Sequence, residues 1–297
     1  MREFDVLVVG DANPDLVLRG DVRPRFGQQE QLLTGADLVL GGSAAITATG
    51  CARLGLRTAL LTAIGDDLFG EIVRDQLRAR NVRIITAPAA GVPTGLTVIL
   101  NEADDRAMLT LPGTIAALRP ADVTDALLGR ARHVHVASLY LQPDLAEGLA
   151  PVFARARELG LTTSLDTNWD PAERWDWVPE ILPHTDVFLP NSAELHAITG
   201  GDGPEKLVAA GTIVVMKDGI RGARAWWPGG ESTAPARPVE VVDAVGAGDS
   251  FNAGFLAACL SGRSVREAVA WAAAAGSLST RAAGGTAAQP TLDDFAD

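Results

Sequence analysis

The sequence predicts an α/β fold on a mainly parallel sheet, and three observations predict it. Short apolar runs alternate with helical patterns through most of the chain, which is the rhythm of βαβ units. The first run, 5–10, is continuously apolar and rich in Val and Leu, as suits a strand buried on both faces of a parallel sheet. With 297 residues, 47% of them hydrophobic and 21% charged, the chain is long enough for one large domain. No internal repeat, low-complexity linker or long charge run divides it, so a single domain over 1–297 is expected.

The first strand ends in the turn Gly10-Asp11-Ala12-Asn13-Pro14-Asp15. Ligands gather at the carboxyl ends of strands in open α/β sheets, so Asp11, Asn13 and Asp15 are candidates to grip a substrate. An Asx turn is the structural alternative. From 16 to 40 the chain breaks into strand-like pieces separated by Gly20, Pro24, Gly27 and Gly35, with no room for a full helix. A second strand-like excursion, 94–100 and 106–111, is joined by the polar turn Asn101-Glu102-Ala103-Asp104-Asp105. The two excursions, about 12–40 and 94–111, are expected to form a small β lid over the site. Between them the main rhythm gives helix 43–54, strand 58–64 and helix 68–80. Further strands are expected at 132–136, 162–166, 185–189 and 212–217, with helices at 144–159, 192–199 and 205–210. Two alanine-rich helices, 247–260 and 265–282, close the chain. Alanine combines high helix propensity with little bulk, so both can lie close to the sheet.

A net charge of −12, a pI near 4.8 and the lack of a basic stripe argue against nucleic acid and anionic membranes as partners and point to a small molecule. Cys51 and Cys259 sit far apart in apolar helical patterns, which reads as buried thiols in a reducing compartment. The acidic start leads straight into a strand, without a signal-peptide core or an apolar stretch of membrane length, so a cytoplasmic location is expected.

Chemistry concentrates in Asp243-Ala244-Val245-Gly246-Ala247-Gly248-Asp249, a glycine-rich turn that ends on a carboxylate and runs into an apolar helix. Gly246 and Gly248 allow a sharp bend close to a ligand, and the first N–H groups of the helix add partial positive charge there. Such a turn holds phosphate. A carboxylate at the same place would repel a resting phosphate, so Asp249 is a candidate to accept a proton from a substrate hydroxyl, with helix capping as the alternative. A dinucleotide oxidoreductase is disfavoured, because the first strand leads into Gly10-Asp11-Ala12-Asn13-Pro14 instead of a G-x-G-x-x-G fingerprint.

In chain order, the segments resemble the signatures of the ribokinase-like (PfkB) carbohydrate kinases. The turn at 243–251 is similar to the family pattern D-T-x-G-A-G-D-x-F, with Ala244 where Thr is common. Gly41-Gly42-Ser43-Ala44-Ala45-Ile46-Thr47-Ala48 resembles G-G-x-A-x-N-x-A, with Ile46 where Asn is usual; Ser43 is read as the N-cap of the helix that follows. Gly65-Asp66-Asp67-Leu68-Phe69-Gly70 resembles a G-x-D-x-x-G turn and is read as structural, with Asp66 or Asp67 capping a helix. Asn191 and Glu194 match N-x-x-E, which is also the spacing of a capping box. Asp166-Thr167-Asn168 resembles D-x-N, Lys217 to Ala223 resembles T/K-x-G-x-x-G-A, and Thr280 to Gly285 resembles the loop over adenine.

The resemblance implies a three-layer αβα sandwich and ATP-dependent transfer of the γ-phosphoryl group to a hydroxymethyl group of a sugar or polyol. Asp249 would be the base, with the N–H groups of Gly246, Ala247 and Gly248 holding the oxygens on which charge spreads. Asp11, Asn13, Asp15, Gly41 and Gly42 would face the substrate. Asn168, Asn191, Lys217, Gly219, Gly222 and Gly248 would face the nucleotide. Glu194 would reach Mg²⁺ through water, and Asp243 is a candidate for a monovalent cation such as K⁺. A nucleoside kinase of the same family and a non-catalytic sensor on the same fold are the rival readings. A homodimer through the lid edges is a further expectation.

Overall fold

Alternation along the first strand, β1 (Phe4–Val9), sets the layering. In the computed structural model, which describes residues 2–102 and 106–295, Leu7 and Val9 enter one apolar layer with Phe153 and Ile181, while Val6 and Val8 enter the opposite one with Ala48 and Leu256. Residues 103–105 of the expected 101–105 turn lie outside the described residues. The remaining strands are β2 (Asn13–Gly20), β3 (Leu33–Gly41), β4 (Thr58–Ala63), β5 (Arg83–Ala87), β6 (Leu96–Asn101), β7 (Arg106–Leu111), β8 (Ala131–Val136), β9 (Thr162–Leu165), β10 (Val187–Phe188), β11 (Ile213–Lys217), β12 (Ala223–Trp227) and β13 (Gly230–Ala234).

Nine of them form one sheet in the order β13-β12-β11-β10-β9-β8-β1-β4-β5, parallel from β11 to β5 and antiparallel only through β12 and β13. With helices on both faces this is the expected α/β three-layer sandwich. The other four strands form a separate sheet, β3-β2-β6-β7, from the two excursions that the sequence sets apart. Its Val17 and Ile99 pack on Val245, so this small sheet lies against the glycine-rich turn.

Some elements depart from the expectation for local reasons. Strand β5 carries Arg83 and Thr86 among its five residues and lacks a clear apolar run. The expected helix 144–159 is two helices, Pro143–Glu147 and Leu149–Glu158, broken at Gly148, where a Cβ would come within 2.3 Å of Pro120. The last helix stops at Ser279, three residues early. Ser43 is not the N-cap of its helix, Ser43–Arg53; Gly42 is, without a side-chain bond of its own. The cap comes from elsewhere in the chain, as described below. Asp67 does cap its helix, accepting from Gly70 N and from Thr94 N, both at 2.8 Å. Both cysteines are free, and burial pushes each thiol up to about 12. Among the described residues, no helix is long and apolar enough to cross a membrane.

Candidate active site

The parallel strands β1, β8, β9, β10 and β11 all release their chains at one edge of the sheet, and the helix Ala247–Leu260 begins beside that edge. Gly246 is its N-cap, in the left-handed region at φ 71°, and supplies no side-chain bond; Ala247 N donates to Ala244 O at 3.3 Å, and the next first-turn N–H groups, of Gly248 and Asp249, remain for a ligand. A Cβ on Gly246 would stand 2.6 Å from Cα of Gly285, so only glycine permits this approach. Asp243 fastens the turn: its Oδ1 accepts from Val245 N and its Oδ2 from Gly284 N, both at 2.9 Å. Ile46, 3% exposed, fills the space between Gly246 and Gly285, so an apolar side chain props the turn from beneath.

Asp249 lies in the first turn of this helix and is 7% exposed. Burial, then the nearby Asp166 and Asp11 carboxylates, push its carboxyl up to about 8 against the pull of the Lys217 ammonium and the Ser43 hydroxyl. A carboxyl raised this far is a stronger base than an exposed one.

On one side of Asp249 lie the residues expected to face a substrate. Asp11 proves to be the missing cap of the helix Ser43–Arg53. Its Oδ1 accepts from Ala44 N at 3.0 Å, while Oδ2 accepts from Ser43 N at 3.2 Å and from the Ser138 hydroxyl at 2.9 Å. Asp11 thus fixes the glycine pair from the end of β1. Asn13 donates to Asp15 Oδ1 at 2.9 Å. A Cβ on Gly41 would lie 2.1 Å from the Asp15 carboxyl carbon, so glycine is what lets Asp15 sit there. Burial, with Asp11 adding to it, pushes Asp15 up to about 7.

On the other side, Lys217 Nζ lies 2.5 Å from Asp166 Oδ2, which also accepts from Asn252 Nδ2 at 2.6 Å. Burial opposes the charge on Asp166, but Lys217 and Asn252 outweigh it and hold the carboxyl below its usual range. Burial likewise opposes Lys217, and Asp166, Glu194 and Asp249 together hold it above. A Cβ on Gly248 would stand 3.6 Å from Lys217 Nζ, which puts the ammonium beside the turn. Asn191 and Glu194 form the reciprocal capping box, with Glu194 Oε2 accepting from Asn191 N at 2.8 Å and Asn191 Oδ1 from Glu194 N at 2.9 Å. Burial, reinforced by Asp166, pushes Glu194 up to about 7.

Three nucleotide-side expectations look different in three dimensions. Asn168 spends its amide on Ser138 N, at 2.8 Å, and on the Ser43 hydroxyl, at 3.0 Å, which joins it to the Asp11 cap on the substrate side. Gly222 is buried where a Cβ would strike the Ala234 carbonyl at 2.1 Å, so it serves the packing of β12 on β13. Gly219 is exposed, with nothing near its Cβ position.

Several residues were not singled out from the sequence. Asn252 carried a signal, because it is a polar residue three positions after Asp249 on an otherwise apolar helix. Ser138 and Gln289 carried none. Gln289, 1% exposed, donates to Ile46 O at 2.9 Å and lies 3.1 Å from the Ser250 hydroxyl, which links the two helices that open on the site. A small aromatic cluster follows Asn168: Trp169 meets Trp175 edge-on at 5.1 Å, and Trp175 meets Tyr140 at 5.6 Å.

A buried carboxylate thus stands in the first turn of a helix, behind a glycine turn, with the Lys217 ammonium and the Asp166 and Asp11 carboxylates around it. The family description "pfkB family carbohydrate kinase" matches residues 3–292. The chain is 31% identical over 300 residues to the ATP-dependent ribose-1-phosphate kinase of Halopiger xanaduensis, covering 98% of this chain and 96% of that one. It is 26% identical over 296 residues to the ribokinase of Bacillus subtilis, covering 98% and 97%. The structure of Arabidopsis thaliana ribokinase complexed with ribose and ATP superposes with a TM-score of 0.81 at 23% identity, over 99% of this chain and 97% of that one. The chain belongs to the pfkB family of carbohydrate kinases, phosphotransferases that act on an alcohol group.

Proposed function

We propose that the protein transfers the γ-phosphoryl group of MgATP to a hydroxymethyl group of a monosaccharide or related polyol. The observation that carries this reading is Asp249, buried at a helix start among Lys217, Asp166 and Asp11, with its pKa raised to about 8. Phosphoryl transfer passes through a loose transition state, so positioning and charge stabilisation dominate. Asp249 accepts the hydroxyl proton late, when bonding to phosphorus has made that oxygen acidic. The N–H groups of Gly246, Ala247 and Gly248 hold the oxygens on which charge spreads. Lys217 exchanges part of its hold on Asp166 for phosphate, and Gly219 borders the nucleotide.

The residues fit a magnesium ion. Magnesium keeps several waters and needs only one or two protein carboxylates, and the described residues hold no denser metal cluster. Glu194, whose Oε2 is taken by the capping box, would reach it through Oε1 and water, beside Asp166. The ion would neutralise phosphate charge. A monovalent cation such as K⁺ would use the lone pairs of Asp243 not engaged by Val245 and Gly284.

The four-stranded sheet acts as a lid on this single domain, keeping water from competing with the alcohol. Its edge strand β7 is exposed along its whole length, and pairing between two copies would cover it.

A coupled ADP-release assay with MgATP against ketoses, aldoses, sugar acids, polyols and nucleosides, run beside Asp249→Ala, tests the reading. Turnover of a sugar or polyol that disappears in the variant is expected. Silence across the panel while MgATP still binds would replace the kinase with a sensor, and turnover of nucleosides alone would change the substrate class.

A further inference from the structure

On β8, Val134 and Val136 enter the layer of Phe153, so alternation turns His133 and His135 to the opposite layer, that of Val8, Ala253 and Leu256. Both histidines are buried, and strand register sets His135 between Val8 of β1 and Ser164 of β9, with Val187 of β10 beyond. Imidazole nitrogens buried in such a layer cost free energy unless they are hydrogen-bonded. Three of the four are. His133 Nδ1 lies 2.7 Å from Thr162 Oγ1, His133 Nε2 lies 2.7 Å from Ser164 Oγ, and His135 Nδ1 lies 2.7 Å from that same oxygen. Among the described residues, His135 Nε2 has no partner.

The chain of bonds has a direction. Burial lowers His133 to about 3 and His135 to about 4, so both rings are neutral near pH 7 and carry one N–H each. The single proton of Ser164 can go to only one of them, and the other must donate. The far end decides which. Asp166 stands two residues after Ser164 on the same face of β9, roughly 7 Å further along, and its negative charge acts on His135. A carboxylate there favours a donor at His135 Nε2 over a lone pair. Thr162 then donates to His133 Nδ1, His133 Nε2 to Ser164, and Ser164 to His135 Nδ1, each bond polarising the next in one sense. Asp166 has room for a further donor: Oδ2 accepts from Lys217 and Asn252, but Oδ1 only from Asn168 N, at 3.1 Å. Nε2 and the carboxylate are not in direct contact, and a buried water is the group that spans such a gap between polar partners.

We propose that His135 is a positioning residue: one buried water joins its Nε2–H to Asp166, so that the aligned chain from Thr162 fixes the carboxylate that holds Lys217 beside the glycine turn. What Lys217 meets there rests on the kinase reading above, to which the histidine chain adds a brace behind the nucleotide side.

Nitrogen-15 NMR of the histidine-labelled native chain, without nucleotide, should show both buried rings neutral and protonated on Nε2 at pH 7. A high-resolution crystal structure should show one water within hydrogen-bond reach of His135 Nε2 and Asp166 Oδ1. His135→Phe keeps a ring and removes both nitrogens, and calorimetric titration with MgATP should find its affinity about 3–10-fold weaker, the effect of one lost hydrogen bond. His135→Gln, whose amide nitrogen reaches the place of Nε2, should restore most of that affinity; His135→Asn, which reaches only the place of Nδ1, should not. A proton on Nδ1 of His135, or no water between His135 and Asp166, would overturn the proposal. So would a Phe variant that binds MgATP like the native chain, or equal affinity in the Gln and Asn variants. The tautomers and the water are read on the native chain, so they decide the brace even where a variant fails to fold. MgATP that fails to bind the native chain would remove the kinase reading, and the same two measurements would still decide the brace.

Discussion

Replacing Asp249 by Asn should abolish most turnover and yet stabilise the fold. Burial and neighbouring carboxylates raise this carboxyl from 3.8 to about 8, so the folded chain holds a proton that the unfolded chain releases. Between pH 4 and 8 the native state therefore binds more protons than the unfolded state, and stability falls as pH rises through that window. At pH 7 the gap spans roughly three decades, on the order of 4 kcal/mol as an upper bound at about 1.4 kcal/mol per decade. Asparagine carries no such titration. Thermal melts from pH 5 to 8 should show the native Tm falling more steeply than that of Asp249→Asn, with the variant several degrees more stable at neutral pH. In the same preparations kcat should drop by about 10²–10⁴-fold, the usual worth of a positioned base, while nucleotide affinity changes little. For the native enzyme, kcat/KM for the acceptor should rise with pH until about 8, because the carboxylate must be ionised to accept the proton. Identical pH slopes for the two melts would refute the electrostatic reasoning, and equal losses in turnover and nucleotide affinity would refute the base assignment.

Other outcomes follow from the same geometry. Lys217→Met removes the one cation that lowers the Asp249 pKa, so the acid limb of kcat/KM should move to higher pH and MgATP should bind more weakly, read by a pH–rate series and by titration. Gly41→Ala drives a Cβ into the Asp15 carboxyl, so acceptor KM should rise about tenfold or more with KM for ATP unchanged in steady-state kinetics. Gln289→Leu strips hydrogen bonds from Ile46 O and the Ser250 and Thr49 hydroxyls; chemical denaturation should show a loss of about 2–4 kcal/mol.

The sequence made the parallel sheet legible because strands buried on both faces are mainly apolar, as 6–9 and, apart from Thr58 and Thr62, 58–64 are. It also exposed the turn at 246–249, since two glycines and a carboxylate at a helix start satisfy a backbone demand readable in a few consecutive residues. Roles set by distant partners were not legible. Asp11 looks like a substrate ligand until Ser138, 127 residues away, and the helix start at Ser43 take up its oxygens. Asn168 reads as a residue facing the nucleotide, and in the fold its amide bonds the same two serines. Ile46 reads as a departure from the family's usual Asn, and in the fold it supports the backbone of Gly246 and Gly285.

These two polar residues share a consequence. Asp11, Ser138, Asn168 and Ser43 form one hydrogen-bonded ring that joins the ends of β1, β8 and β9 to the first turn of a helix, and the Ser43 hydroxyl pulls the Asp249 carboxyl down. On the proposed reading the ring acts on Asp249 from the acceptor side, as Lys217 and Asp166 act on it from the nucleotide side. Either ligand, on binding, would then change the charge and hydrogen bonding around the base that serves the other. That arrangement predicts coupling: the acceptor's affinity should differ with and without MgATP, and by linkage MgATP affinity should change by the same factor when the acceptor is bound. Paired titrations measure both factors. Asp11→Asn, which weakens the ring without touching Lys217, should reduce that coupling more than it reduces MgATP binding alone, and undiminished coupling in that variant would refute the ring's role.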